Sequence, residues 1–453
     1  MRKFFHPHLP ALTENSFLRY FSFSLLYLAQ GIPHGIMYFG IPAWMAMKGK
    51  SVAEIASFAG VLGLPWSFKF LMAPIIDRYT YLPMGRRRPW VLFNQAGLLI
   101  SFIGLSMVPN PLENLGLLMA AGFCVSFFSA FQDVATDGMA IDIIPRDEQA
   151  RANGLMWGSK TIGISASLAA GSWMLNRVSF SFAILTLAVS LGIIMLVPLL
   201  MRERPGEKFL PGMPGKTSPE SEELHLDSWG EILRSIMHVM LLPYSILLSV
   251  LLFVMGAAYN FMNTLIPIFT VKNLNWTDEE YSQVYSAASL FAGVLGMFIG
   301  GYLIDHFGRI RMLSIYYMLL ILLTGGMAYY EVHWLESHFT TAFILFYTTL
   351  YVFSTIGLLS IAMKFCWKKV SATQFTIYMA ITNLGFSVGP GLIAPIKERY
   401  GWEFTILVFA IVVSVVLFLL QFMRTKVHMH QLEELEKQDL LIHETIFKYE
   451  TTS

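Results

Sequence analysis

Stretches of about 20 apolar residues recur twelve times along the chain, near 16–45, 51–76, 89–108, 113–144, 153–176, 179–201, 239–271, 278–304, 311–330, 337–363, 372–395 and 402–423. Each is long enough to cross roughly 30 Å of hydrocarbon as a helix. The pattern predicts an all-α, polytopic membrane protein. Composition agrees: 55% of the 453 residues are hydrophobic and only 13% charged, against about 25% charged in a soluble domain. A formal net charge of +1 leaves no broadly basic face, so no nucleic-acid partner is expected.

Of the 31 lysines and arginines, Lys69 and Lys160 fall deep within spans, while Arg19 and Arg311 at span edges count with the loops they adjoin. Six (Lys48, Lys50, Arg177, Lys272, Lys397, Arg399) fall in loops on one side, which leaves 23 on the other. The basic side is cytoplasmic by this rule, and both termini with it. Four segments follow: a six-helix bundle over 1–201, a cytoplasmic linker over 202–238, a second six-helix bundle over 239–423 and a cytoplasmic tail over 424–453. The linker is rich in Pro, Gly and charge, as a flexible connection should be. Its end differs, because Ser228 and Glu231 fit a capping box and Trp229, Ile232, Leu233, Ile236 and Met237 share one helical face. A short amphipathic helix is expected there. In the tail, Leu432, Leu435, Leu440 and Ile446 among charges suggest one more marginal helix. Arg2, Lys3, His6 and His8 precede an uncleaved first span. Cys124 and Cys366, the only cysteines, exclude a disulfide scaffold and a cysteine zinc site. No metal site is expected.

One device occurs twice. Asp77-Arg78 and Gly85-Arg86-Arg87-Arg88 follow the second span; Asp305, Gly308, Arg309 and Arg311 follow the eighth. An acid, a turning glycine and basic residues at matching loops indicate an internal repeat, hence two pseudo-symmetric bundles with a site between them. Their chemistry suits a cytoplasmic gate that clamps helix ends until transport breaks the contacts.

The fourth span carries three carboxylates, Asp133, Asp137 and Asp142. Carboxylates in hydrocarbon need a partner or a task. Asp133 and Asp137 share a helix face, whereas Asp142 lies about 180° round and roughly 13 Å deeper. Asp142 is within reach of Arg86 to Arg88 and joins the gate. Asp133 and Asp137 lie at the depth of Lys69 and Lys160, forming a coupling or ion-pair network. That network reads either as structural glue or as a titrating relay.

Gln132, His34, Tyr38, Tyr259, Asn260, Asn263 and Asn383 are candidates for a substrate cavity, since amides and phenols offer both donors and acceptors. His34 follows Pro33, where the first helix can break, and reads as a proton carrier or as a packing residue. The Asn residues also read as interhelical hydrogen-bonding groups. Phe39, Trp44, Trp66 and Trp157 can stack on a ring or simply pack. Asn275-Trp276-Thr277 is a glycosylation sequon in an outer loop.

The second basic loop resembles the G-x-x-x-D-R-x-G-R-R signature of the major facilitator superfamily, with His306 in place of the first arginine. Gly31, Pro33 and Trp44, then Phe68-Lys69-Phe70-Leu71, Pro74, Asp77-Arg78, Gly85 to Arg88, and Gln132-Asp133 with Asp137 and Asp142 to Pro145, resemble the AmpG-type muropeptide permeases. The related acetyl-CoA transporters share the Gln-Asp-x-x-x-Asp core. The resemblance implies the twelve-helix major facilitator fold, alternating access, and a muropeptide-like or related polar solute in a bacterial inner membrane. The alternatives are acetyl-CoA or another anionic metabolite, or a non-transporting sensor of the same fold. No G-x-x-x-x-G-K-[ST] or H-E-x-x-H occurs, and the G-x-S-x-G at Gly385 to Gly389 falls inside the eleventh apolar window rather than at a strand-to-helix turn, so neither an ATPase nor an enzyme is expected. No cofactor is implied, and a proton gradient is the expected energy source. The expected partners are a small-molecule solute and the lipid bilayer, with the chain a monomer.

Overall fold

The structure is a computed structural model that describes residues 11–50, 52–225, 228–276 and 278–437. Arg2, Lys3, His6, His8, Thr277, Leu440 and Ile446, which carried sequence expectations, lie outside the described residues. The first bundle contains α1 (Ser16–Gly35), α2 (Val52–Arg78), α3 (Arg88–Ser106), α4 (Leu115–Ile143), α5 (Gln149–Arg177) and α6 (Phe180–Leu200). Two short helices, α7 (Pro219–Glu223) and α8 (Trp229–Met240), lie in the linker. The second bundle contains α9 (Pro243–Leu274), α10 (Asp278–Leu295), α11 (Arg309–Tyr329), α12 (Ser337–Phe365), α13 (Ser371–Val388) and α14 (Ile393–Leu420).

Among the described residues, nine helical stretches are long and apolar enough to cross a membrane. The last, residues 368–420, turns at Gly401 (φ 82°) and crosses twice. The remaining crossings, α1 and α5, are less apolar, and α5 carries Lys160. Twelve transmembrane helices result, close to the twelve windows. The first helix does not break at Pro33. It runs on through a π-helical turn, Ile36–Gly40, into Ile41–Met47. The equivalent helix α10 likewise continues through a π-turn, Gly296–Gly300, to Gly301–Phe307.

In the first bundle α1 packs along α5, and α3 against α4 and α6; in the second, α9 packs along α13, and α11 against α12 and α14. Small residues permit the closest of these approaches. A Cβ on Gly31 would strike the carbonyl of Lys160 in α5, and one on Gly385 would strike that of Phe253 in α9. The bundles meet where α2 and α4 touch α13 and where α5 touches α10 and α12.

The face carrying α7 and α8, here the linker face, departs from expectation. Residues 201–216 are not a loose connection. Glu203, Arg204 and Glu207 are buried, and the segment is held by Leu12 N–H to Arg202 O (2.9 Å) and Lys208 N–H to Pro83 O (2.7 Å). In α8 the capping box does not form: the Ser228 side chain makes no cap bond, and Glu231 pairs with Lys369 at 2.9 Å. The predicted apolar face is divided. Ile232 and Val239 pack with Trp367, Val370 and Leu432 of the tail helix, residues 425–437, while Trp229, Leu233 and Met237 remain exposed, as suits a helix lying in a membrane interface.

Candidate functional site

A buried charge cluster sits between α1, α2, α4 and α5. Lys69 Nζ lies 2.7 Å from Asp133 Oδ2, and Lys160 Nζ lies 3.7 Å from Asp133 Oδ1. Trp66 flanks both ammonium groups, at 5.2 Å from Lys69 and 5.5 Å from Lys160; Trp157 and Tyr27 stand 5.4 and 5.8 Å from Lys160. These rings offer Lys160 π-faces in place of water. Asp137, one turn along α4, makes no ion pair among the described residues and accepts the Tyr27 hydroxyl instead. The four-membered network expected from depth is therefore three-membered, with Asp137 beside it. Tyr27 was not anticipated, because a tyrosine in an apolar window carries no positional signal. Beyond Lys160, Thr161 faces Gly293 of α10, so the cluster adjoins the seam between bundles.

The linker face holds the clamp. Asp142 accepts Arg86 Nη1 (3.0 Å), Arg87 Nε (3.1 Å) and the Ser371 hydroxyl (2.6 Å). Asp77 accepts Arg87 Nη2 and both the hydroxyl and, at 2.9 Å, the N–H of Thr373. Arg86 also donates to the carbonyls of Lys368 (2.6 Å) and Lys369. The loop of one bundle thus grips the N-terminus of α13 in the other, where free N–H groups and the helix dipole favour a carboxylate. Burial, with the neighbouring Arg87 charge, pulls the Arg86 guanidinium down to about 10. The repeat forms a second, looser clamp. Asp305 accepts the N–H of Arg151 in the first turn of α5 (2.9 Å), Arg309 lies 3.8 Å from Asp305, and Arg309 donates to Arg146 O.

Three residues assigned to the gate stand elsewhere. Arg78 stacks on Tyr79 and Trp229. Arg88 points away from Asp142 to the carbonyls of Pro198, Leu199, Lys208 and Phe209, at 2.7–2.9 Å. Arg311 is exposed on α11. Glu203 was missed. Its carboxylate accepts the N–H groups of Arg86 (3.0 Å), Arg87 (2.7 Å) and Arg88, capping α3 from the linker. Gly85, with φ 103°, makes the turn this requires, and a Cβ there would strike the Glu203 carboxylate.

The cavity candidates separate. Gln132 is buried with both amide atoms unpartnered, as is Gln30 one turn from Tyr27 and His34. His34 stacks on Tyr38 (4.9 Å) and lines a small cavity with Trp66 and Ser126. The Tyr38 hydroxyl is bound to Leu62 O at 2.8 Å. Tyr259 is not in a cavity: it is buried, bonds Ser354 at 2.6 Å and packs on Tyr351. Asn260 donates to Phe386 O (2.7 Å), and Asn263 lies 3.4 Å from the Tyr347 hydroxyl. Both therefore tie helices together. Asn383 is exposed. Trp44 packs on Phe180 in the core, and Phe39 is exposed near His34.

The sequence model of the Major Facilitator Superfamily matches residues 16–390, most of the chain. The chain belongs to this superfamily. It is 26% identical over 395 residues to an anhydromuropeptide permease of Escherichia coli (strain K12), covering 86% of this chain and 76% of that one. It is 22% identical over 371 residues to the putative transporter AmpG 1 of Rickettsia bellii, covering 80% and 87%. Among solved structures, the superfamily transporter FucP in its outward conformation superposes with a TM-score of 0.64 at 12% identity, covering 90% of this chain and 98% of that one. The protein is a multi-pass membrane protein and a secondary transporter of the major facilitator kind, similar to AmpG-type permeases. In this structure its two bundles are clamped together at the linker face.

Proposed function

We propose that this transporter carries an anionic, muropeptide-like solute together with protons, in a bacterial inner membrane with its linker face cytoplasmic. The observation that carries the reading is the charge balance of the buried cluster. Two ammonium groups, Lys69 and Lys160, face one paired carboxylate, Asp133, while Asp137 holds only a phenol. With Asp137 ionised the four groups are neutral. A proton on Asp137 leaves the cluster with one net positive charge, which in a low-dielectric interior demands an anion. The solute's carboxylate supplies it on Lys160, the more loosely held of the two lysines, while Trp66 and Trp157 offer faces to a sugar ring. Proton and anion then bind as one load, and the empty cluster returns neutral.

The clamp supports the direction of the cycle. It closes the linker face, so the loaded state forms from the other side and the contacts of Asp77 and Asp142 break on inward opening. The sequence count of 23 basic residues in the set of loops to which the linker belongs supports its cytoplasmic placement. The test is uptake into proteoliposomes under an imposed pH gradient, offering anhydromuropeptide, acetyl-CoA and a sodium gradient separately. Proton-driven uptake of anhydromuropeptide, lost in Asp137→Asn, is expected. Uptake driven by sodium alone, or wild-type pH dependence in a folded Asp137→Asn variant, overturns the coupling; transport of acetyl-CoA alone overturns the substrate.

A further inference from the structure

The repeat aligns Gly85 with Gly308, both at positive φ (103° and 94°), and therefore Arg86 with Arg309 and Arg88 with Arg311. The two members of the last pair differ completely. Arg88 is buried and its guanidinium is saturated by four main-chain carbonyls, two at the end of α6 and two in the linker, with the Phe209 ring 5.9 Å away. Arg311 is exposed and makes no ion pair or hydrogen bond among the described residues. It stands at the mouth of a groove of about 1010 Å³ between α11 and the end of α14, the helix that corresponds to α6. Among the described residues of the second half, nothing corresponds to the linker carbonyls.

We propose that this groove binds an anionic phospholipid from the leaflet at the linker face. The lipid phosphate takes on Arg311 the place that carbonyls take on Arg88, and an acyl chain lies along Ile315, Met318 and Phe418. Three observations fit. The polar end of the groove is made by Arg311, Ser314 and Gln421, with Gln421 Nε2 donating to Ser314 at 3.2 Å, and no acidic side chain lines it. Exposed Arg424 and Lys426 follow Gln421 closely in sequence, so the rim is basic and repels a cationic choline. Ile315, Met318 and Phe418 are exposed apolar side chains, and the groove follows α11 from Ile310 to Leu319, about 13 Å at 1.5 Å per residue, most of one leaflet's hydrocarbon depth. A guanidinium above an apolar groove at the membrane boundary selects a phosphate with a lipid tail.

The test is native mass spectrometry of the full chain in detergent, titrated with phosphatidylglycerol or phosphatidylcholine. The expected result is retention of phosphatidylglycerol ~fivefold better than phosphatidylcholine, the factor one basic side chain contributes at a membrane surface. Arg311→Gln removes the preference and Arg311→Lys keeps it. A Phe418→Trp variant, quenched by brominated phosphatidylglycerol, locates the chain, and combining it with Arg311→Gln reduces the quenching. Equal retention of both lipids, unchanged quenching in the double variant, or a stable dimer that shuts lipid out of the groove overturns the proposal.

Discussion

The loop after α2 and the loop after α10 are built from one pattern and do different work. In both, an aspartate accepts an N–H at the start of a helix in the opposite bundle: Asp77 from Thr373 of α13, Asp305 from Arg151 of α5. The first loop adds two fully buried arginines between two buried carboxylates and is sealed by Glu203. The second has ion pairs of 3.8 and 3.9 Å, one to the exposed Arg151, and among the described residues no acid lies beneath its backbone N–H groups. The asymmetry traces to the linker, whose residues 201–216 fold back over the loop of the first bundle, whereas the described tail helix after the second bundle packs on α8 instead. One clamp is thus a tight lock and the other a loose latch, and a carboxylate held by short, shared ion pairs loses more than one held at 3.8–3.9 Å when a partner is removed.

The largest effect that tests this difference is Arg87→Ala. It leaves Asp77 and Asp142 buried without the guanidinium they share, and should cost ~3–5 kcal/mol of the closed state. Alkylation of a Ser371→Cys reporter should rise steeply. Asp305→Asn, at the latch, keeps an oxygen for the Arg151 N–H and gives up only ion pairs of 3.8 and 3.9 Å, so alkylation of an equivalent reporter should shift by only ~1 kcal/mol. Equal shifts would erase the distinction between lock and latch.

Next comes the arginine pair of the lipid inference. Arg88→Ala orphans four carbonyls and removes charge-assisted hydrogen bonds, so thermal unfolding in detergent should show a loss of ~3 kcal/mol. Arg311→Ala should leave the same transition within ~0.5 kcal/mol, as expected for an exposed residue without partners. A large loss for Arg311→Ala would mean that its guanidinium is held by the protein itself.

Much of this was legible in the sequence, for identifiable reasons. Span number follows from hydropathy, and the pairing of Lys69 and Lys160 with Asp133 follows from depth, because hydrocarbon leaves charges few alternatives. Asp142 with Arg86 and Arg87 was readable for the same reason. Arg88 was misread and Glu203 missed because their partners are backbone groups, which every residue carries and no side-chain pattern announces. Tyr259 was misplaced because a buried phenol bonded to Ser354 looks the same in sequence as one lining a cavity. The linker was misjudged because Pro, Gly and charge describe a strap held by ion pairs as well as a loose coil.

Smaller effects separate the entries to the two halves. Asn15 caps α1, accepting the Leu18 N–H at 3.0 Å, so Asn15→Ala should cost ~1 kcal/mol in thermal unfolding. Ser228 precedes α8 without a cap bond. Ser228→Ala should therefore change the same transition by less than ~0.3 kcal/mol.

The strap supplies the smallest effect, and its sign follows from Glu207. That carboxyl accepts the Arg204 N–H at 2.9 Å and faces the Ser218 and Ser221 hydroxyls at 3.3 Å. Burial, then the charge of Glu203, pushes it up to about 7, above the ordinary 4.5. The docked strap therefore holds a proton more tightly than the released strap. Its contribution to docking is fully present below about pH 4.5 and is lost as pH rises through about 7. Between pH 6 and pH 8, proteolysis of residues 201–216 should accelerate roughly threefold more in wild type than in Glu207→Gln, a modest part of the tenfold that one full pKa unit represents. Taking the ratio of the two proteins removes the pH dependence of the protease itself. A flat ratio would mean that Glu207 does not titrate with docking, and the first clamp would then owe its seal to Glu203 and Arg204 alone.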